Sequence, residues 1–242
     1  MSAEICWEDG KTVLARSGRF DLIFKYELAR AWAGMEPVTV RRAEEAYLEM
    51  VRARNGFYER EPRRTTPADF LENFRRVAES IRTHGYHPDS PPIPTDSEGE
   101  ILNGAHRVAV CAAYGLKCRT AVATSGRAGG SVEAVFRKGN IAPEVADWGI
   151  RAYLREFPSG RLAADFKARE LGPMEPFPDW RVRATEFSSR HWGLRLRLMR
   201  YRLISFWRTG RKLEKARSHA DELTCRMRSY DALAEYWEKQ AK

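Results

Sequence analysis

Apolar residues recur at helical spacing in three early stretches of the chain. Phe70, Leu71, Phe74, Val77, Ala78 and Ile81 form one stripe, bounded by Thr66 and Gly85. The spacing predicts a helix over 67–84, with Thr66 as N-cap, Pro67 at the first helical position and Asp69 reaching back as in a capping box. Ala43, Ala46, Tyr47, Met50 and Val51 predict a second helix over 42–54, stopped by Asn55-Gly56. Leu22, Tyr26, Ala29 and Ala33 suit a helix capped by Asp21 and ended by Gly34, while Leu22-Ile23-Phe24 keeps a strand open as the alternative. Arg19, Asp21 and Lys25 interrupt this apolar stretch and read first as solvated helix faces. Thr12–Ala15 is a short strand candidate. Two further helices are expected over 143–157 and 162–171, before an irregular Gly172–Pro178 segment.

Between residues 93 and 136 the pattern changes to short apolar runs separated by turns. Ile93–Asp96 reads as a strand, Gly99 as part of a polar turn, Ile101-Leu102 as a second short run, and Asn103-Gly104 as a tight turn. A helix of small residues then runs from Ala105 to its stop at Gly115. A helix start offers unpaired N–H groups and the positive end of the macrodipole, both favourable to anions. Gly104 permits close backbone approach, Arg107 can fork onto a phosphate, and His106 can donate a hydrogen bond or shuttle a proton. The same residues serve equally well to cap and solvate the helix. Farther on, Thr120–Thr124 and Val132–Phe136 read as strands around a glycine-rich loop, Ser125–Ser131. That loop lacks the Gly-Lys-Ser/Thr ending of a P-loop and reads as a flexible hairpin, with a phosphate nest as the alternative.

The run Ile101-Leu102-Asn103-Gly104-Ala105-His106-Arg107, followed by a small-residue helix, resembles the nucleotide-binding motif of the ParB/sulfiredoxin superfamily. That superfamily includes chromosome-segregation CTPases, sulfiredoxins and small-molecule kinases such as free serine kinase. Its kinase-like members read Asp-Gly-x-His-Arg, and the turn with its His-Arg pair holds nucleotide phosphates. Here Asn103 replaces the acid, Ala105 stands where sulfiredoxins carry their reactive cysteine, and the Glu-Arg-Arg of segregation proteins is absent. The resemblance spans roughly residues 66–125 and implies a phosphate site made by Asn103, Gly104, Ala105, His106 and Arg107. It also implies ATP or ADP as ligand, with CTP as an alternative, and Mg²⁺ bridging the phosphates.

The C-terminal third carries a different pattern. Trp192, Leu196, Met199, Leu203 and Phe206 repeat at spacings of four and three. After Thr209-Gly210, the run Leu213, Ala216, Ala220, Leu223, Met227, Tyr230, Ala234 and Trp237 repeats without interruption, which suggests an antiparallel helical hairpin. Arg181–Arg217 holds twelve Lys or Arg against two acids, so the net charge of +9 resides in this segment. Its basic face is solvated by default; an acidic membrane surface or nucleic acid are the functional alternatives, with no nucleic-acid recognition motif legible. Homodimerisation through the hairpin is open. No apolar run approaches a membrane span and Met1–Glu4 does not begin a signal peptide. The four cysteines lack Cys-x-x-Cys spacing and read as reduced thiols in a cytoplasmic protein, without a metal site.

The chain is therefore expected to be α+β, with a ParB/sulfiredoxin-like core over 1–140 and an α-helical region over 141–242. The expected activity is nucleotide-dependent phosphoryl transfer to a small hydroxylated metabolite such as an amino acid, sugar or polyol. Nucleotide-gated nucleic-acid binding is the alternative. Phosphates would fall to the Gly104 turn, His106 and Arg107, and the acceptor hydroxyl to a carboxylate, Glu59 or Asp96. Glu59 follows two aromatics after a sharp helix stop, which suits either a base of raised pKa or an exposed acid beside a packing pair. Arg19 and Lys25 are candidates for charge stabilisation or substrate anchoring.

Overall fold

The structure is a computed structural model that describes residues 5–34, 40–60, 62–123, 141–190, 197–199 and 210–240. It is mixed α+β, with a small sheet backed by helices. Strand β1 (Ile5–Asp9) runs directly into helix α1 (Gly10–Arg16). The strand expected at Thr12–Ala15 is thus helical. Asp9 causes this: its carboxylate accepts from Thr12 N at 2.9 Å and caps the helix, overriding the β-branched Thr12-Val13 pair.

Helix α2 (Asp21–Trp32) settles the helix-or-strand alternative. It is buried almost all round, including Asp21, Lys25 and Glu27, as befits a central helix. The expectation of solvated faces for Arg19, Asp21 and Lys25 is overturned, since none is more than 3% exposed. Helix α3 (Val40–Asn55) buries the expected stripe and, on a further face, Leu48, Glu49 and Arg52. Helix α4 (Pro67–His84) starts in the expected capping box, with Thr66 and Asp69 bonding reciprocally.

Strand β2 (Ile93–Thr95), helix α5 (Ala105–Ala113) and strand β3 (Lys117–Val122) form a parallel crossover unit. The sheet order is β1-β3-β2, with β1 antiparallel to β3 in the register Cys6↔Thr120 and Glu8↔Cys118. Strand β3 starts three residues earlier than expected and ends at Val122. The glycine-rich loop and the Val132–Phe136 strand lie outside the described residues.

Helices α6 (Pro143–Glu156) and α7 (Ala163–Lys167) follow, the second shorter than expected. Beyond the irregular 172–178 segment come α8 (Trp180–Arg190), α9 (Gly210–Met227) and α10 (Ser229–Gln240). The first arm of the expected hairpin lies outside the described residues except for 197–199. The second arm is not continuous. Ser229 donates its hydroxyl to the Arg226 carbonyl at 2.8 Å, and the helix breaks at Arg228. Helix α10 packs chiefly on α8, where Trp180 and Tyr230 stack with centroids 6.5 Å apart, and also reaches α3 and α4. At the α3 junction, Glu49 is buried against Arg52 at 2.6 Å and accepts from Ala142 N at 2.8 Å and Tyr230 OH at 3.2 Å. This polar joint ties α3, the start of α6 and α10 together. Among the described residues no helix is long and apolar enough to cross a membrane.

Candidate functional site

The 96–104 segment is held by its own side chains. Asp96 Oδ1 accepts from the backbone of Glu98 at 2.9 Å and of Glu100 at 2.8 Å, closing the turn that contains Gly99. Ile101 bridges back to Thr95, and Asn103 Oδ1 accepts from Gly104 N at 2.7 Å. Gly104 is the N-cap of α5 with φ 80° and ψ 19°, a left-handed conformation that disfavours any side chain. A Cβ there would also come within 2.9 Å of Arg107 Nη2, because the guanidinium folds over the glycine.

Arg107 and His106 leave this first helical turn towards different partners. Arg107 donates to Tyr86 OH at 3.0 Å and to the Pro91 carbonyl, which ties the 85–92 loop to α5. It lines a cavity of about 470 Å³ together with Asn73, Arg76, Ser80, His84 and His87. No carboxylate is among the described lining residues. His106 instead packs against Phe74, with ring centroids 4.6 Å apart, and its Nε2 lies 3.1 Å from Tyr47 OH. Burial holds the His106 pKa well below the usual value, and the nearby Lys25 charge adds to the effect. The ring is therefore neutral near pH 7.

Beneath His106 lies a buried ionic group. Arg19 makes a two-pronged contact with Asp21, at 3.0 and 2.8 Å, and its Nη1 donates to the Ile101 carbonyl at 3.1 Å. Lys25 bonds Asp21 one turn along α2, and the half-buried Arg54 approaches the same carboxylate at 3.6 Å. Burial alone would raise the Asp21 pKa. The charges of Arg19 and Lys25 outweigh burial and hold that carboxyl well below the usual range. Burial lowers Lys25 to about 7 against the pull of Asp21. Arg64 pairs with Glu59 and also bridges it through the backbone, and both act electrostatically on Tyr47. The charged groups that act on His106 are Lys25, Asp21, Arg54 and Arg64, so cations outnumber anions around it.

The sequence-derived site residues divide among three places. His106 and Glu59 lie by Tyr47, and the buried Arg19 and Lys25 join them through Asp21. Asn103, Gly104 and Arg107 form the turn beside the 470 Å³ cavity, while Ala105 is buried in the core. Asp96 stands apart, lining a separate cavity of about 520 Å³ with Glu8, Arg16 and Thr120. Sequence reasoning missed Tyr47, Arg54 and Arg64 as site residues. Tyr47 and Arg54 are seven apart on α3, two turns along one face, so an Arg on the core stripe of α3 was the available signal. Arg64 carries no periodic signal.

Around the Glu59 loop the backbone is unusual. Gly56 and Phe57 adopt φ 65° and 60° in succession, and Phe57 is the non-glycine residue with positive φ among the described residues. Asn55 Oδ1 accepts from Phe57 N at 3.1 Å, which supports the reversal that aims the chain back towards Tyr47.

Among the described residues no group of three His, Cys, Asp or Glu is placed to hold a metal ion. No family model, curated protein or solved structure matches the chain.

Proposed function

We propose that the chain is a nucleotide-dependent phosphotransferase with a ParB/sulfiredoxin-like core, transferring phosphate to a small hydroxylated molecule in the cytoplasm. The observation that carries the reading is the first turn of α5. Its left-handed Gly104 sits under the Arg107 guanidinium, at the edge of a cavity whose described lining offers cations and hydrogen-bond donors but no carboxylate. Such a lining fits the phosphates of ATP or ADP, and Val77, Ile81 and Tyr86 give the same cavity an apolar side for the rest of the nucleotide. When bound, the nucleotide supplies the phosphoryl group. Magnesium would neutralise phosphate charge, but the described lining of this cavity offers it no carboxylate, and Glu59, beside Tyr47, is paired with Arg64. Arg107 positions and neutralises the phosphates, and the Arg54–Arg64 side of α5 receives the acceptor.

Arg107→Ala tests this, with Arg119→Ala as control, because Arg119 also bonds the 85–92 loop, through the Ser90 carbonyl at 3.4 Å. Titration calorimetry with Mg·ATP should show at least tenfold weaker binding for Arg107→Ala and near-unchanged binding for Arg119→Ala, with far-UV spectra alike. Equal affinities for wild type and Arg107→Ala would remove the phosphate role. Transfer of labelled phosphate to a panel of amino acids, sugars and polyols then identifies the acceptor.

A further inference from the structure

We infer that His106 does not bind phosphate but presents an unprotonated Nδ1 to the acceptor hydroxyl as the proton-accepting group, with Tyr47 as the positioning residue that fixes this tautomer. The inference rests on the phosphotransferase reading and changes the role of one residue within it.

Hydrogen-bond direction decides the tautomer. Tyr47 OH has two neighbours: His106 Nε2 at 3.1 Å and the Phe70 carbonyl at 3.4 Å. A carbonyl only accepts, so the arrangement that joins both contacts runs from Nε2–H to the Tyr47 oxygen, and from the Tyr47 hydroxyl to Phe70. Tyr47 remains a neutral phenol, because burial and the Glu59 charge raise its pKa. A neutral imidazole that carries its proton on Nε2 has a lone pair on Nδ1. Among the described residues no group hydrogen-bonds Nδ1.

A lone pair facing phosphate oxygens is repulsive, since both are acceptors; a lone pair facing a hydroxyl is a hydrogen-bond acceptor. The charged groups around the ring are Lys25, Asp21, Arg54 and Arg64, and the cations among them disfavour a second positive charge on it. His106 is thus a weak base. Phosphoryl transfer has a loose transition state in which the acceptor oxygen loses its proton late, so a weak base suffices. The acceptor O–H bond breaks and its proton passes to Nδ1. The oxygen's electron pair forms the new bond to phosphorus, the bond to the leaving oxygen breaks with its pair, and the imidazolium then releases the proton to water.

The test is ¹⁵N NMR of ring-labelled histidine, assigned with His106→Gln, without and with Mg·ATP. The expected spectrum at pH 7 has Nε2 of His106 protonated and Nδ1 unprotonated, and Tyr47→Phe should shift it towards a tautomer mixture in a folded protein. Nδ1–H or an imidazolium in the wild type would overturn the inference. His106→Gln should keep ATP affinity within twofold and lower the transfer rate about a hundredfold or more; a tenfold loss of ATP affinity would instead make His106 a phosphate ligand and overturn it. If wild type binds no ATP the phosphotransferase reading falls, and the base assignment with it, whereas the tautomer is still read from the same spectra.

Discussion

Gly56 lies directly against Arg226: a Cβ on Gly56 would come within 2.8 Å of the Arg226 Cα. The end of α3 and the end of α9 therefore touch through backbone, at the start of the loop that carries Glu59 and Arg64. Tyr58 OH adds a hydrogen bond to Ser218 Oγ at 3.1 Å. Gly56→Ala meets both this contact and a φ of 65°. It should destabilise the protein by about 2 kcal/mol or more, measured by urea unfolding. A wild-type midpoint would mean that α9 does not press on the loop.

Lys25 makes stability depend on pH in an unusual direction. Its folded pKa, about 7, lies below its ordinary 10.5. Between those values the unfolded chain binds a proton that the folded chain does not, so stability rises with pH. The rise is bounded by one proton, about 1.4 kcal/mol per pH unit. Urea unfolding from about pH 7 to about pH 9.5, below the range of ordinary tyrosine ionisation, should show the increase, and Lys25→Met should flatten it. Parallel curves for the two proteins would show that Lys25 is charged throughout.

Leu233, which stands outside the heptad pattern of the second arm, is fully buried, while Leu223 within that pattern is only half-buried. Leu233→Ala should therefore cost about 2–5 kcal/mol, and Leu223→Ala clearly less. Thermal unfolding of the pair decides it. A larger effect at Leu223 would restore an uninterrupted seam.

Tyr230→Phe removes the hydroxyl that reaches Glu49 at 3.2 Å and leaves the ring stacked on Trp180. Loss of a buried hydrogen bond to a charged acceptor should cost about 1.5–3 kcal/mol in denaturant unfolding. A change under about 0.5 kcal/mol would place the strength of the joint in Arg52 and Ala142 alone.

Local signals carried much of the helical layout. Thr66, Pro67 and Asp69 mark the start of α4 within four residues, and the stripes of α3 and α4 need no distant partner to be read. The Asn103-Gly104 pair likewise announces a tight turn. Arg19, Asp21 and Lys25 were misread because their burial depends on groups far along the chain. Arg54 is contributed by another helix, and the carbonyl that Arg19 reaches belongs to Ile101. No periodicity distinguishes a solvated charge from one whose counter-charge arrives from elsewhere. The site followed the same rule. Gly104, His106 and Arg107 were visible as a cluster, but the parting of His106 towards Tyr47 and Arg107 towards Tyr86 is set by the packing of α3, α4 and the 85–92 loop. In sequence Tyr47 was merely a core aromatic.

The Glu49 joint also constrains the order of events during synthesis. Arg52 reaches Glu49 from one turn away, but the Ala142 N–H and the Tyr230 hydroxyl come 93 and 181 residues later. Until those later segments are made, the Glu49–Arg52 pair on α3 should have one face uncovered. Closing so long a loop is slow compared with forming helices. The nascent core should therefore persist as an open intermediate until α10 leaves the exit tunnel, and chains truncated before Tyr230 should be the ones that quality-control proteases remove.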